Sequence, residues 1–92
     1  MAFVTEADLD ETDRALERAI STLLDARAST SSICPSAAAR HVRDRNWRPL
    51  MERTRMAADR LARRGEVEIT QHGEVVGISD VRGPIRIRRP RG

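Results

Sequence analysis

The sequence predicts an α+β fold in which three helices precede a small antiparallel β-hairpin (a wing) and a short C-terminal strand. Up to Gly65, apolar residues recur at helical spacing. After Gly65 the pattern changes to alternation, which is typical of strands. The second and third helices are separated by only a few residues, and that order is the plan of a winged helix-turn-helix.

The first helix is predicted over residues 10–27, with an extension back to Glu6 as an alternative. Its apolar residues fall on one stripe: Leu9, Leu16, Ile20, Leu23 and Leu24. Two pairs compete as the N-terminal cap and its acidic partner: Thr5 with Asp8, and Asp10 with Asp13.

A Ser/Thr-rich loop follows, and Ile33 after it is expected either in a short buried strand or as an apolar staple. Pro35 suits the first position of a second helix over residues 35–43, because the N–H that proline lacks has no helical partner there. Ala38 and Ala39 on the inner side of this helix allow close helix packing.

The third helix is expected to begin at Asn46, as its N-cap, and to end at Gly65. Its core stripe at helical spacing is Trp47, Leu50, Thr54, Ala57, Ala58 and Leu61. Phe3 and Trp47 are the only aromatic residues, and Trp47 is needed in the core, so recognition of single strands through stacked bases is not expected.

The dipeptide His72-Gly73 has the form of a two-residue hairpin turn. Pairing outward from it sets Ile69 opposite Val76, which keeps the apolar residues of the hairpin on one face. In the final strand, isoleucines alternate with arginines. The complete predicted core is Trp47, Leu50, Leu61, Leu16, Ile20, Val67, Ile69 and Ile85.

The length of 92 residues allows one domain, spanning residues 1–92, with residues 1–9 as an N-terminal arm and residues 89–92 as a basic tail. A single cysteine excludes an internal disulfide. The N-terminus lacks the basic start and apolar run of a secretory signal, and no segment approaches the roughly 20 apolar residues that span a bilayer. We therefore expect a cytoplasmic protein without membrane contact.

Charge is unevenly distributed along this arginine-rich chain, in which all 17 basic residues are arginine. A GC-rich genome explains the lack of lysine, but it does not explain the distribution. Residues 1–28 contain seven acids and three arginines, whereas residues 29–92 contain fourteen arginines and seven acids. This pattern predicts an acidic first helix that faces away from a basic surface, and the basic surface is expected to meet a polyanion.

Two arginine-rich segments form the candidate nucleic-acid interface. On the third helix, the candidates for base edges in the major groove are Arg48, Glu52 and Arg55, and those for flanking phosphates are Arg45 and Arg53. In the wing and final strand, the candidates for phosphate or minor-groove contact are Arg82, Arg86 and Arg88.

Each segment also has an explanation without a ligand. The pairs Arg48–Glu52, Arg55–Asp59 and Asp59–Arg63 have the spacing of ion pairs on a self-neutralised helix surface. Outward arginines on the last strand would protect a sheet edge from aggregation.

No constellation points to an enzyme, a cofactor or a metal. Cys34 before a helix could act as a redox sensor, but its small apolar neighbours favour a structural role. One cysteine and the scattered His41 and His72 lack the spacing of a metal site. Gly-rich phosphate loops, Ser/His/Asp arrangements and catalytic carboxylate pairs are absent from the sequence.

Several short motifs follow one another along the chain in a recognisable order: Cys34-Pro35-Ser36, Ala39-Arg40, Trp47-Arg48, Leu50-Met51 and Gly83-Pro84-Ile85-Arg86. Over residues 12–90 the chain resembles a family of short bacterial proteins of unknown function. The resemblance implies a winged-helix-like fold and no particular activity. Ala37 departs from the pattern, since an acid is more frequent there in the family.

These observations favour binding of double-stranded DNA, either sequence-specific or sequence-tolerant. The alternative is a winged-helix module that docks an acidic protein, because the same fold serves both purposes.

Overall fold

The computed structural model describes residues 9–28 and 30–90. The helices are α1 (Glu11–Asp25), α2 (Pro35–Val42) and α3 (Met51–Arg63), and the strands are β1 (Ser32–Ile33), β2 (Glu68–Gln71), β3 (Glu74–Val75) and β4 (Arg86–Arg88). Two short 3₁₀ turns, Arg48–Leu50 and Ile78–Asp80, precede α3 and follow β3. The predicted α+β class, with three helices and a small antiparallel sheet, is confirmed.

Helix α1 begins with a reciprocal cap between two aspartates. The Asp13 backbone N–H donates to the Asp10 carboxylate at 2.9 Å, and the Asp10 backbone N–H donates to the Asp13 carboxylate at 3.3 Å. This arrangement satisfies two N–H groups that have no helical partner. The competing cap at Thr5 lies outside the described residues.

The four strands form one antiparallel sheet in the order β1-β4-β2-β3. Strand β4 lies between β1 and β2, so that Ile87 pairs with Ile33 on one side and with Ile69 on the other. Ile33 is therefore in a short buried strand, one of its two predicted placements. The C-terminal strand is not an edge strand, and protection of an edge does not explain its arginines.

The β2–β3 hairpin has the predicted register. Its two turn residues, His72 and Gly73, have φ angles of 53° and 84°, as the two-residue hairpin turn requires. Thr70 pairs with Val75, and the Val76 N–H donates to the Ile69 carbonyl at 2.9 Å.

Helix α3 ends as predicted but begins differently. Gly65 has a φ of 77°, and the N–H of the following Glu66 donates to the Leu61 carbonyl at 2.9 Å, which is a Schellman termination. At the other end, Asn46 is not the N-cap. It takes the left-handed conformation that asparagine tolerates, with a φ of 56°, and the chain enters α3 through the 3₁₀ turn.

The core lies between the helices and one face of the sheet. Its buried cluster consists of Leu16, Ala19, Ile20, Leu24, Ile33, Ala38, Ala57, Ala58, Leu61, Val67, Ile69, Ile85 and Ile87. Every member of the predicted core is buried except Trp47. Trp47 is half-buried. It lies before the 3₁₀ turn, whereas the buried stripe of α3 begins at Leu50, at the end of that turn. In residues 9–28 and 30–90, no helix has the length and apolarity that a bilayer span requires.

Candidate nucleic-acid interface

The acidic side of α1 packs on α3, so the prediction that it faces away from the basic residues is wrong. Arg53 donates to the carboxylates of Asp10 and Asp13, with an Nε–Oδ1 distance of 2.9 Å to Asp13. The Asp13 backbone N–H, together with Arg53, holds the pKa of Asp10 below its usual range. The fold therefore brings together opposite charges that the sequence keeps in separate halves of the chain.

A second link between α1 and α3 is centred on Glu17. Its carboxylate accepts from Arg60 Nε at 2.6 Å and from Arg64 Nη2 at 2.7 Å, and its side chain is only 12% exposed. Burial alone would raise the pKa of Glu17, but the hydrogen bonds from Arg64 and Arg60 outweigh burial and lower it. These arginines attach α3 to α1 and carry little unneutralised charge.

Further arginines are neutralised elsewhere on the surface. Arg88 donates to Glu68 at 3.0 Å across the β4–β2 pair, with its side chain 15% exposed. Arg89 donates to Asp25 at 2.6 Å. Of the three ion pairs expected along the third helix, only Asp59–Arg63 forms among the described residues, at 3.0 Å.

A further set of arginines in the described ranges makes no ion pair: Arg27, Arg40, Arg43, Arg45, Arg48, Arg55, Arg82 and Arg86. Four of them fall within residues 40–48, where Asp44 is the only acid. The unneutralised charge is thus concentrated at the turn between α2 and α3 and at segment 82–86.

Trp47 lies in the α2–α3 turn and is in contact with two of these arginines. The guanidinium carbon of Arg40 is 4.5 Å from the centroid of the indole ring, and that of Arg48 is 5.2 Å from it. These distances are typical of cation–π contacts. Because Trp47 was predicted to be buried in the core, this cluster was not predicted from the sequence. The adjacent Trp47-Arg48 pair was the signal that could have indicated it.

Backbone carbonyls of segment 82–84 accept hydrogen bonds from α3 and from β2. Arg55 Nη1 donates to the Gly83 carbonyl at 3.1 Å. Gln71 Nε2 donates to the carbonyls of Arg82 at 2.7 Å and Pro84 at 3.2 Å. A carbonyl does not cancel the charge of a guanidinium, so Arg55 stays cationic and lies close to the exposed Arg82.

A mainly apolar cavity of about 390 Å³ opens beside Arg55. Its lining is Cys34, Pro35, Ser36, Met51, Arg55, Gly83, Pro84 and Ile85. The Cys34 Sγ lies 3.0 Å from the Ser36 hydroxyl, and this hydrogen bond lowers the pKa of the thiol despite partial burial, with a smaller contribution from Arg86. The lining contains no carboxylate or imidazole that could act as a general base for Cys34.

The predicted contact residues therefore differ in exposure and in whether an ion pair neutralises their charge. Arg45, Arg48, Glu52 and Arg82 are exposed, and Arg55 is half-buried. Arg86 is exposed but donates to the Ser32 hydroxyl at 2.8 Å and to its carbonyl at 2.9 Å. Arg53 and Arg88 are engaged in ion pairs. Within the described part of the chain, no group of three or more His, Cys, Asp or Glu side chains could hold a metal ion.

A protein-family model described as a protein of unknown function (DUF3253) matches residues 13–90. No curated protein matches the chain.

Proposed function

We propose that this chain, which belongs to the DUF3253 family of unknown function, is a winged helix-turn-helix protein that binds duplex DNA. The order of elements supports this fold: α1, the short strand β1, α2, α3, the β2–β3 hairpin and the returning strand β4. In such a domain the start of the third helix enters the major groove and the hairpin side contacts the flanking backbone. A DNA partner also favours a cytoplasmic location.

The proposal depends chiefly on which arginines lack an ion pair. Arg48 lies in the 3₁₀ turn that leads directly into α3, and Arg55 lies about two turns further along, so both are on about the same side of the helix. The bond from Arg55 to the Gly83 carbonyl brings this side next to Arg82. The unneutralised arginines consequently form a strip from the α2–α3 turn to segment 82–86, which suits the backbone of a duplex.

Within this strip we assign two roles. Glu52 and Arg55 face base edges, where arginine pairs bidentately with guanine and glutamate accepts from cytosine. Arg48, a base-edge candidate in the sequence, lies against Trp47 and is assigned to the backbone instead. Arg45, Arg82 and Arg86 contact phosphates, which position the protein without reading sequence. Arg53 and Arg88 are already neutralised within the chain, so the proposal does not depend on them.

The test is salt-dependent binding of the full chain to random duplex DNA. About four to six phosphate contacts should give a log–log salt slope of about −4 to −5, with affinity near the micromolar range. Arg45→Ala or Arg82→Ala should each reduce the slope by about 0.9 and weaken binding to all sequences equally. Arg55→Ala should instead change the preference among sequences, by about 1–3 kcal/mol at a guanine contact.

Arg63→Ala is the matched control, because Arg63 is an exposed arginine paired with Asp59 at the far end of α3. It lies on the order of 20 Å from Arg48 along the helix and should leave both affinity and slope unchanged. A folded sample that does not bind duplex at low salt would refute the proposal. An acidic protein would then be the better candidate partner.

A further inference from the structure

Two unneutralised cations converge on one aromatic ring in the α2–α3 turn. The guanidinium carbons of Arg40 and Arg48 lie 4.5 Å and 5.2 Å from the centroid of Trp47, so they can be no farther apart than the sum of these distances. Arg40 projects from α2 and Arg48 begins the 3₁₀ turn, and Trp47 thus links the two elements of the helix-turn-helix.

Neither arginine has a carboxylate partner in the described part of the chain. Arg43 and Arg45 add further positive charge to the same turn. Like charges at this separation repel one another, and the negative face of the indole ring compensates by attracting each cation. The ring therefore holds together two charges that have no anion of their own.

We propose that Arg40, Trp47 and Arg48 form a clamp for adjacent phosphates of a nucleic-acid backbone, with Trp47 as the positioning residue. A guanidinium against an aromatic face keeps its in-plane N–H donors available, and these donors match phosphate oxygens. Side chains that are ordered before binding lose less conformational freedom when the partner arrives. This inference rests on the proposed function and adds Arg40 and Trp47, which were not among the contact residues predicted from the sequence.

Intrinsic fluorescence can report on this site alone, because Trp47 is the only tryptophan and the chain has no tyrosine. Random duplex DNA should change the emission of the full chain, with the same midpoint as the anisotropy of labelled DNA. Inorganic phosphate at an equal phosphate concentration should leave the emission unchanged, which separates a nucleic-acid backbone from a free anion as the ligand.

Arg40→Ala and Arg48→Ala should each weaken duplex binding by about 5- to 10-fold and reduce the salt slope by about 0.9. Arg63→Ala, which removes an exposed arginine far from the ring, should change neither quantity. Equal losses in all three variants would mean that any surface arginine contributes alike, and the clamp would be refuted.

The role of Trp47 is tested by rescue and by a double-mutant comparison. Trp47→Leu should weaken binding about 3- to 5-fold, and Trp47→Phe should restore most of it because a ring is present again. In the Arg40→Ala/Arg48→Ala background, Trp47→Leu should have no further effect, since the ring acts through these two arginines.

An undiminished effect of Trp47→Leu in that background would show a purely structural role and overturn the inference. A preference for single strands over duplex that disappears in Trp47→Leu would mean that the ring stacks on bases, which also contradicts the clamp. If the parent chain binds duplex with the expected slope while Trp47→Leu binds equally well, only the clamp fails. If the parent does not bind duplex, the proposed function itself fails.

Discussion

Among the described residues, the partner of an arginine decides whether its charge is neutralised within the fold or remains on the surface. Arg60 and Arg64 both bind Glu17 and attach α3 to α1. Arg45 and Arg82 are exposed and have no carboxylate partner among the described residues. Residue type alone does not separate the two classes. The number of arginines in the sequence therefore overestimates the positive charge that is available to a ligand.

The environment of Cys34 predicts its reactivity. The Ser36 hydroxyl is the main cause of the lowered pKa of the thiol, so Ser36→Ala should raise that pKa and slow alkylation at neutral pH. Mass spectrometry of iodoacetamide labelling across a pH series measures the change. Ser79→Ala, at an exposed position that does not line the cavity beside Cys34, is the control. Alkylated protein should bind duplex DNA as tightly as untreated protein, because we assign the thiol no role in binding.

Identical labelling profiles for the parent and Ser36→Ala would show that the hydroxyl does not control the thiol. A large loss of DNA affinity on alkylation would support the redox-sensor hypothesis instead.

At the scale of elements, ion pairs hold α1 against α3 in addition to the apolar stripe. Arg53 binds Asp10 and Asp13 near the start of α1, and Glu17 binds two arginines one turn further along. Breaking such a partly buried pair by removing one partner leaves the other group poorly solvated. The attachment of α3 to α1 should therefore depend on the ionisation of these acids.

Glu17→Gln should reduce the acid sensitivity of folding. The pKa of Glu17 is lowered in the folded state, while the unfolded value is about 4.3. Its ionisation therefore contributes stability that is fully present above about pH 4.3 and is lost as the pH falls through the folded pKa. Urea denaturation at several pH values should show the parent more stable than Glu17→Gln near neutral pH, with the difference shrinking below about pH 4.

Glu74→Gln provides the comparison, since Glu74 is exposed on β3 and makes no ion pair in the described structure. Parallel stability curves for the parent and Glu17→Gln across this pH range would contradict the expectation.

At the scale of the whole molecule, β4 makes the sheet a single unit. It pairs with β1, which precedes α2, and with β2, which follows α3. The last strand thus joins the two strands that flank the α2–α3 segment in the sequence. Folding of the helical part and of the hairpin should consequently be one cooperative event.

Ile87→Ala tests this cooperativity, because Ile87 is fully buried between Ile33 and Ile69. The substitution should lower the free energy of unfolding by about 2–5 kcal/mol, through lost apolar contact and the cavity left behind. Urea denaturation followed by circular dichroism should still show a single transition. Val75→Ala, on the outer strand with Val75 58% exposed, should change stability by less than about 0.5 kcal/mol. A second transition in Ile87→Ala would mean that the hairpin unfolds independently.

The sequence by itself determined the class and spacing of the elements. The apolar stripe of α1, that of α3 from Leu50 onward, the two-residue turn at His72-Gly73 and the termination at Gly65 were predicted correctly. Each of these features depends on backbone preference or on the burial period of residues close together in the chain. Such local signals are present in the sequence before any tertiary contact forms.

Tertiary structure alone decided which charges are neutralised, where Trp47 lies and how β4 is placed. The pairs Arg53–Asp13 and Arg60–Glu17 join residues about forty positions apart, a separation that no helical or strand period encodes. Trp47 satisfied the helical period but lies beyond the end of the buried stripe, because the 3₁₀ turn replaces the predicted first turn of α3. The candidate interface depends on these long-range contacts, since a charge is available to a ligand only where the fold provides no counterion.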